Sequence, residues 1–243
     1  MDNNRPMQRL LRFLFWTHDT LSDFLAKHFV FIKRLMLIVA HLSLFGLLFP
    51  EMRKDFGELA EVMLLAILFL SPLSKIFRTR LLLQLMGLRR EMGITMAYLA
   101  TVHVLGFFLD PQWYVPFVDF YLGQKFWKTD PGLLFGILAY TLTLPLLFTS
   151  NSLAQRFLGG RNWKRLHRVV YVVFIAVAFH KSLVGRGVTS FALFQAITLI
   201  LLYLFVKLLA WKNFLPPLEK AIEYVASQYR LYRTSLASSQ SLS

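Results

Sequence analysis

The chain has 243 residues, no cysteine and a formal net charge of +14; it is 56% hydrophobic and 16% aromatic, with only 16% charged residues and a mean hydropathy of +0.53. That composition excludes an ordinary soluble domain of this length, and the lack of cysteine excludes disulfides, thiolate nucleophiles, iron–sulfur ligation and thiolate zinc sites. The positive charge falls in short clusters between apolar runs rather than along one polar face, which points to a lipid bilayer as the partner and away from nucleic acid.

Residues 1 to 32 carry Arg5, Arg9, Arg12 and Lys27 among aromatics, with acidic residues and no small-residue cleavage site. They read as a basic interfacial segment rather than a cleaved signal peptide. A helix needs about 20 apolar residues to cross a bilayer, and six stretches approach that length: residues 33 to 50, 59 to 77, 91 to 109, 131 to 150, 166 to 184 and 188 to 211. Pro145 in the fourth is expected to bend it unless nearby threonines or waters satisfy the freed carbonyl. Residues 33 to 211 thus form the transmembrane domain. Residues 212 to 243 form a tail in which Pro216 and Pro217 break the chain, and Leu218, Ile222, Val225, Tyr229 and Tyr232 recur at the spacing of a short amphipathic helix.

Orientation follows the lysines and arginines. Basic residues after the second stretch (Lys75, Arg78, Arg80, Arg89, Arg90) and after the fourth (Arg156, Arg161, Lys164, Arg165, Arg168) mark the cytoplasmic side, with both termini. The loop containing Arg53, Lys54, Asp55, Glu58 and Glu61 is expected on the outer side. So is the loop after the third stretch, with Asp110, Asp119, Asp130 and the interfacial aromatics Trp113, Tyr114, Phe117, Phe120, Tyr121 and Trp127. Nowhere does a strand lead into the Gly-rich turn of an NAD(P)H-binding unit, so electrons or substrate must come from a separate molecule.

Ionisable residues inside a membrane span are costly and mark function by default. His103 in the third stretch and His180 in the fifth fall toward the outer third of two parallel helices, hence at equal depth. Fourteen residues before His103 stands Arg89, and thirteen before His180 stands His167, a separation of about 20 Å along a helix. Such a layout suits two stacked redox centres, since facing imidazoles are standard axial ligands of haem iron in electron transfer. A 14-residue step returns within about 40° of the same face, whereas 13 residues miss by about 140°. His167 and His180 therefore share a face only if the helix is locally overwound or His167 sits on an irregular turn.

The competing reading makes His103 and His180 hydrogen-bonded core residues of a helix bundle. His41, unmatched in depth, reads as structural; His18 and His28 lie in the interfacial segment. Arg89 and Arg90 read either as an orientation signal or as partners for haem propionates, which arginine's bidentate geometry favours over an axial role. Gly93 and Gly106 offer close approach for a flat macrocycle or for plain helix packing.

The run "FTSNSLAQRFLGGRNWKRLHRVVYVVFIAVAFH" (148 to 180) resembles the ferric-reductase-like transmembrane domain family, supported by "LAILFLSPL" (65 to 73) and "RREMGITMAYLATVH" (89 to 103). Within that family the likeness is to the haem-binding membrane subunits of bacterial protein-methionine-sulfoxide reductase systems. The resemblance implies an all-α integral membrane protein, a six-helix bundle binding b-type haem (one or two), with His103, His167 and His180 at ligand positions and Arg89 complementing His167. It implies no catalytic residue of its own, but a haem subunit in the bacterial inner membrane. Electrons would come from the quinone pool, a flavin reductase or bound FMN, and go to a periplasmic oxidoreductase subunit. Direct reduction of ferric iron or another metal outside is the alternative of the same architecture, and a haem-free transporter or scaffold the alternative of a different class. The latter should show intramembrane carboxylates or broken helices, and the acidic residues gather instead at helix ends and loops.

Overall fold

The computed structural model describes residues 5 to 109, 131 to 184, 189 to 211, 223 to 225, 227 to 232 and 234. The outer aromatic loop and Pro216, Pro217, Leu218 and Ile222 lie outside the described residues. In chain order the helices are α1 (Arg5–Lys27), α2 (Phe29–Leu42), α3 (Arg53–Phe77), α4 (Arg80–Met86), α5 (Arg89–Phe108), α6 (Pro131–Phe148), α7 (Ser152–His167), α8 (Val170–Leu183) and α9 (Ser190–Leu209). Short 3₁₀ turns, Ser43–Leu48 and Pro50–Met52, join α2 to α3.

Six segments are long and apolar enough to cross a membrane: Phe29–Leu48, Arg53–Phe77, Arg89–Phe108, Pro131–Phe148, Ser152–Leu183 and Ser190–Leu209. They match the six expected stretches, with two corrections at their ends. Residues 53 to 61, expected as an outer loop, form the first turns of α3, where Asp55 meets the positive end of the helix dipole. Residues 152 to 167, expected as a cytoplasmic loop, form α7. The Asn151 side chain caps it by accepting from the Ala154 amide at 2.8 Å, and Gly159, at φ 73°, interrupts it in a backbone region that glycine alone enters freely.

The chain divides into two compact units. One comprises residues 33 to 69 and 88 to 205, and its core is drawn from five helices: Ala60, Leu64, Ile67 and Leu68 of α3; Met96 and Leu99 of α5; Ala139 and Leu146 of α6; Val173, Phe174 and Ala176 of α8; and Tyr203 of α9. The α3 positions recur at three- and four-residue steps and so share one face. Small residues let the helices approach closely. Helices α6 and α8 make the most extensive packing between any two elements, and a side chain at Gly132 would run into the backbone of Val184. Pro145 stays within α6, whose last turn is closed by hydroxyls: Thr149 donates to the Pro145 carbonyl and Ser150 to that of Leu146, each at 2.6 Å.

The other unit comprises residues 1 to 32, 70 to 87 and 206 to 243. In it Ser22, fully buried, donates to Gln84 at 3.1 Å, and Arg80 pairs with Asp23 at 2.6 Å. Tyr229 of the tail donates to Asp19, and Phe15 contacts the rings of Tyr229 and Tyr232. The tail tyrosines therefore pack against α1.

Candidate haem site

His103 on α5 and His180 on α8 come together, their ring centres 6.2 Å apart and their planes 73° apart. Each ring is held alike. The Nδ1 of His103 donates to the carbonyl of Arg53 at 2.7 Å, and the Nδ1 of His180 to the carbonyl of Gly132, also at 2.7 Å. A carbonyl only accepts, so both Nδ1 atoms carry the proton and both Nε2 atoms carry the lone pair.

Four residues beyond each accepting carbonyl stands a glycine. A Cβ on Gly57 of α3 would lie 2.5 Å from His103 Nδ1, and one on Gly136 of α6 would lie 2.6 Å from His180 Nδ1. Each imidazole thus lies flat against a bare turn of a neighbouring helix and bonds the carbonyl one turn back, and only glycine gives it room. In both helices the glycine follows a phenylalanine, Phe56 and Phe135. The ion pair Lys181–Glu61, at 2.5 Å, ties α8 to α3 beside the pair.

These features fit a metal held from two sides. Two imidazole nitrogens at about 2.0–2.1 Å from a shared ion, with the half-widths of their rings, give ring centres about 6 Å apart. A backbone acceptor on the second nitrogen is the usual support of a ligating histidine. Among the described residues no group of three or more His, Cys, Asp or Glu side chains stands together. A metal at this pair would therefore take its remaining ligands from elsewhere, as in the four ring nitrogens of a macrocycle.

The other expected residues lie apart from this pair. His167 closes α7; its ring stacks on Trp163, with ring centres 4.0 Å apart, and its Nε2 lies 3.2 Å from the Thr149 hydroxyl. Thr149 spends its own proton on Pro145, so His167 Nε2 is the donor and its lone pair sits on Nδ1, next to the backbone. Between α7 and α8 four backbone bonds have the three-residue step of a 3₁₀ turn: Arg168 to Arg165, Val169 to Leu166, Tyr171 to Arg168 and Val172 to Val169. Each overwound residue adds about 20° of rotation, so four of them cut the 140° miss between His167 and His180 to about 60°. Arg89, at the start of α5, has a buried Nε with no hydrogen-bond partner among the described residues. Arg90 is exposed and donates to the Ser150 carbonyl at 2.9 Å. Gly106 packs against Arg53, while a Cβ on Gly93 would meet only Ile67 at 4.0 Å. The glycines that seat the histidines are on the neighbouring helices.

Residues 56 to 178 match the family described as "Ferric reductase like transmembrane component". The chain belongs to that family. A magnetosome protein MamZ of Magnetospirillum gryphiswaldense is 32% identical over 124 residues, 51% of this chain and 18% of that protein. A protein-methionine-sulfoxide reductase heme-binding subunit MsrQ of Azospira oryzae is 38% identical over 114 residues, 46% of each chain. The MsrQ of Yersinia pseudotuberculosis is 31% identical over 164 residues, 68% of this chain and 75% of that one. The matched region thus spans less than half of the first relatives and three quarters of the last. No solved structure matches.

Proposed function

We propose that this ferric-reductase-like chain is a membrane cytochrome b subunit. It carries electrons across the bacterial inner membrane from a quinol or flavin donor to a periplasmic oxidoreductase, such as the catalytic subunit of a methionine sulfoxide reductase. One observation carries the reading: His103 and His180 stand 6.2 Å apart with both Nδ1 atoms tied to backbone carbonyls. The printed names of the MsrQ relatives support haem as the ligand and a methionine-sulfoxide-reducing acceptor. Clustered Lys and Arg at residues 75 to 90 and 156 to 168 support a cytoplasmic face opposite the histidine pair.

In this reading His103 and His180 would hold the haem iron, each through its Nε2. Haem iron held this way supplies reversible one-electron transfer. The carbonyls of Arg53 and Gly132 fix the tautomer that presents Nε2 and raise its basicity. Gly57 and Gly136 fix the ring planes. Held by two histidines, a haem there would be suited to electron transfer rather than oxygen binding. The unpartnered Nε of Arg89 is suited to a carboxylate such as a haem propionate, at the end of α5 remote from the pair.

The test is the absorption spectrum of the purified protein, oxidised and dithionite-reduced, with pyridine-haemochrome quantification. The expected result is a six-coordinate haem b, and a preparation made with ample haem that shows no b-type bands contradicts the reading.

A further inference from the structure

Arg53 meets the histidine pair twice. Its carbonyl accepts from His103 Nδ1, and its side chain turns onto α5 one turn beyond His103. There the guanidinium lies over the face of Phe107, 4.8 Å from the ring centre. The Phe107 and His103 rings in turn stand edge to face, with centres 5.2 Å apart and planes 81° apart. The arginine stem is held as closely: a Cβ on Gly106 would lie 3.0 Å from Arg53 Cβ, and the Arg53 Nε is buried. Gly106 thus seats this arginine, as Gly57 seats His103.

The position is unfavourable for a cation. Arg53 is the first residue of α3, where the helix dipole presents its positive end and favours an acid. Contact with the face of Phe107 offsets part of that cost. The two steps of 4.8 and 5.2 Å put the guanidinium at most 10 Å from the His103 ring centre. Beside His180, by contrast, Lys181 is largely exposed and tied to Glu61 at 2.5 Å, so its field is screened by solvent and by its partner.

The geometry points to Arg53 as a positioning residue whose charge, held in place on Phe107, sets the reduction potential at the histidine pair, an inference that rests on the cytochrome reading above. Reduction brings one electron from the donor and adds one negative charge at the pair. A positive charge fixed nearby favours that reduced state, and the positive end of α3 acts in the same sense. Two unit charges about 10 Å apart, at an effective dielectric of about 20, shift an equilibrium by about tenfold, or about 59 mV for a one-electron couple. The sign holds whatever other acceptors the five guanidinium donors serve, because losing the side chain removes one positive charge.

The test is a potentiometric titration of the haem-loaded full chain in lipid nanodiscs, with electron paramagnetic resonance of the oxidised form as a check on the ligands. Arg53→Gln is expected to weaken electron binding by about tenfold, a midpoint lower by about 59 mV. The two-imidazole signal should be kept, since any residue at position 53 still offers its carbonyl to His103. Arg53→Lys keeps the charge and is expected to recover most of the shift. Lys54→Gln removes the same charge from the next residue, which is exposed, and is expected to change electron binding by less than about twofold. If Arg53→Gln does not hold haem between both imidazoles, Phe107→Leu, which removes the ring beneath the guanidinium, is read in its place, and a fall of about twofold or more is expected. A midpoint in Arg53→Gln no lower than in Lys54→Gln, or one equally low in Arg53→Gln and Arg53→Lys, overturns the inference while sparing the cytochrome reading. An unmoved midpoint in Phe107→Leu, read in place of Arg53→Gln, does the same. Absence of haem from the wild type overturns the cytochrome reading itself.

Discussion

The two ends of the helix bundle treat histidine in opposite ways. At one end His103 and His180 are a pair, each ring laid on a glycine and each Nδ1 spent on a carbonyl, so that Nε2 is the free nitrogen of both. At the other end His167 is single, its Nε2 spent on Thr149 and its ring stacked on Trp163. Its remaining lone pair lies on Nδ1, crowded by its own backbone. The first end is preorganised for a shared metal ion; the second must give up a hydrogen bond before it ligates through Nε2. The difference teaches that equal depth on parallel helices finds where polar groups are placed, while the second-nitrogen partner decides which of them is ready to bind.

The largest expected effect separates the ends outright. His103→Ala or His180→Ala should each remove the haem of the pair, read as loss of the corresponding bands in the pyridine-haemochrome assay. Retention of six-coordinate haem in both variants would break the comparison. Next come the seats. Gly136→Ala and Gly57→Ala place a Cβ against a ring that has no room to yield, an overpacking cost of about 1–3 kcal/mol, and should lower haem retention by about tenfold or more. Gly93→Ala, with only an ordinary contact to Ile67, should leave retention unchanged and serves as the control.

A smaller effect is expected at the other end. Thr149→Val frees His167 Nε2 without touching the pair, so bands of the pair's haem should not move, while any second haem should be retained more strongly. The smallest concerns the ion pair beside His180. Lys181 is largely exposed but Glu61 is only 11% exposed, so Lys181→Met should leave the spectrum unchanged and lower the thermal midpoint, because it leaves a largely buried carboxylate unpaired.

Much of this arrangement is legible in the sequence, because hydropathy reports the solvent each segment meets. The six spans follow from it, and so does the equal depth of His103 and His180. The first turns of α3 are hidden because Arg53, Lys54, Asp55 and Glu58 are polar at a membrane boundary, where helix and loop share a composition. α7 is hidden likewise by its arginines. The 13-residue interval between His167 and His180 looks out of phase until the 3₁₀ bonds between Arg165 and Val172 are seen; such overwinding leaves no residue signature. The glycine seats escape because glycine contributes nothing to periodicity. Gly93 and Gly106 draw attention by sharing α5 with His103, whereas the rings rest on partner helices. The signal that finds them is the Phe-Gly pair repeated near the starts of α3 and α6, at Phe56–Gly57 and Phe135–Gly136.

The central claim is that the histidine pair alone makes a complete haem site. Electron paramagnetic resonance of the oxidised protein, taken on the wild type and on His167→Ala with haem quantified in both, tests it most directly. A low-spin ferric signal of two imidazole ligands, present in the wild type and retained in His167→Ala, is the predicted result. Loss of that signal in His167→Ala, or a wild-type haem lacking two imidazole ligands, would contradict it.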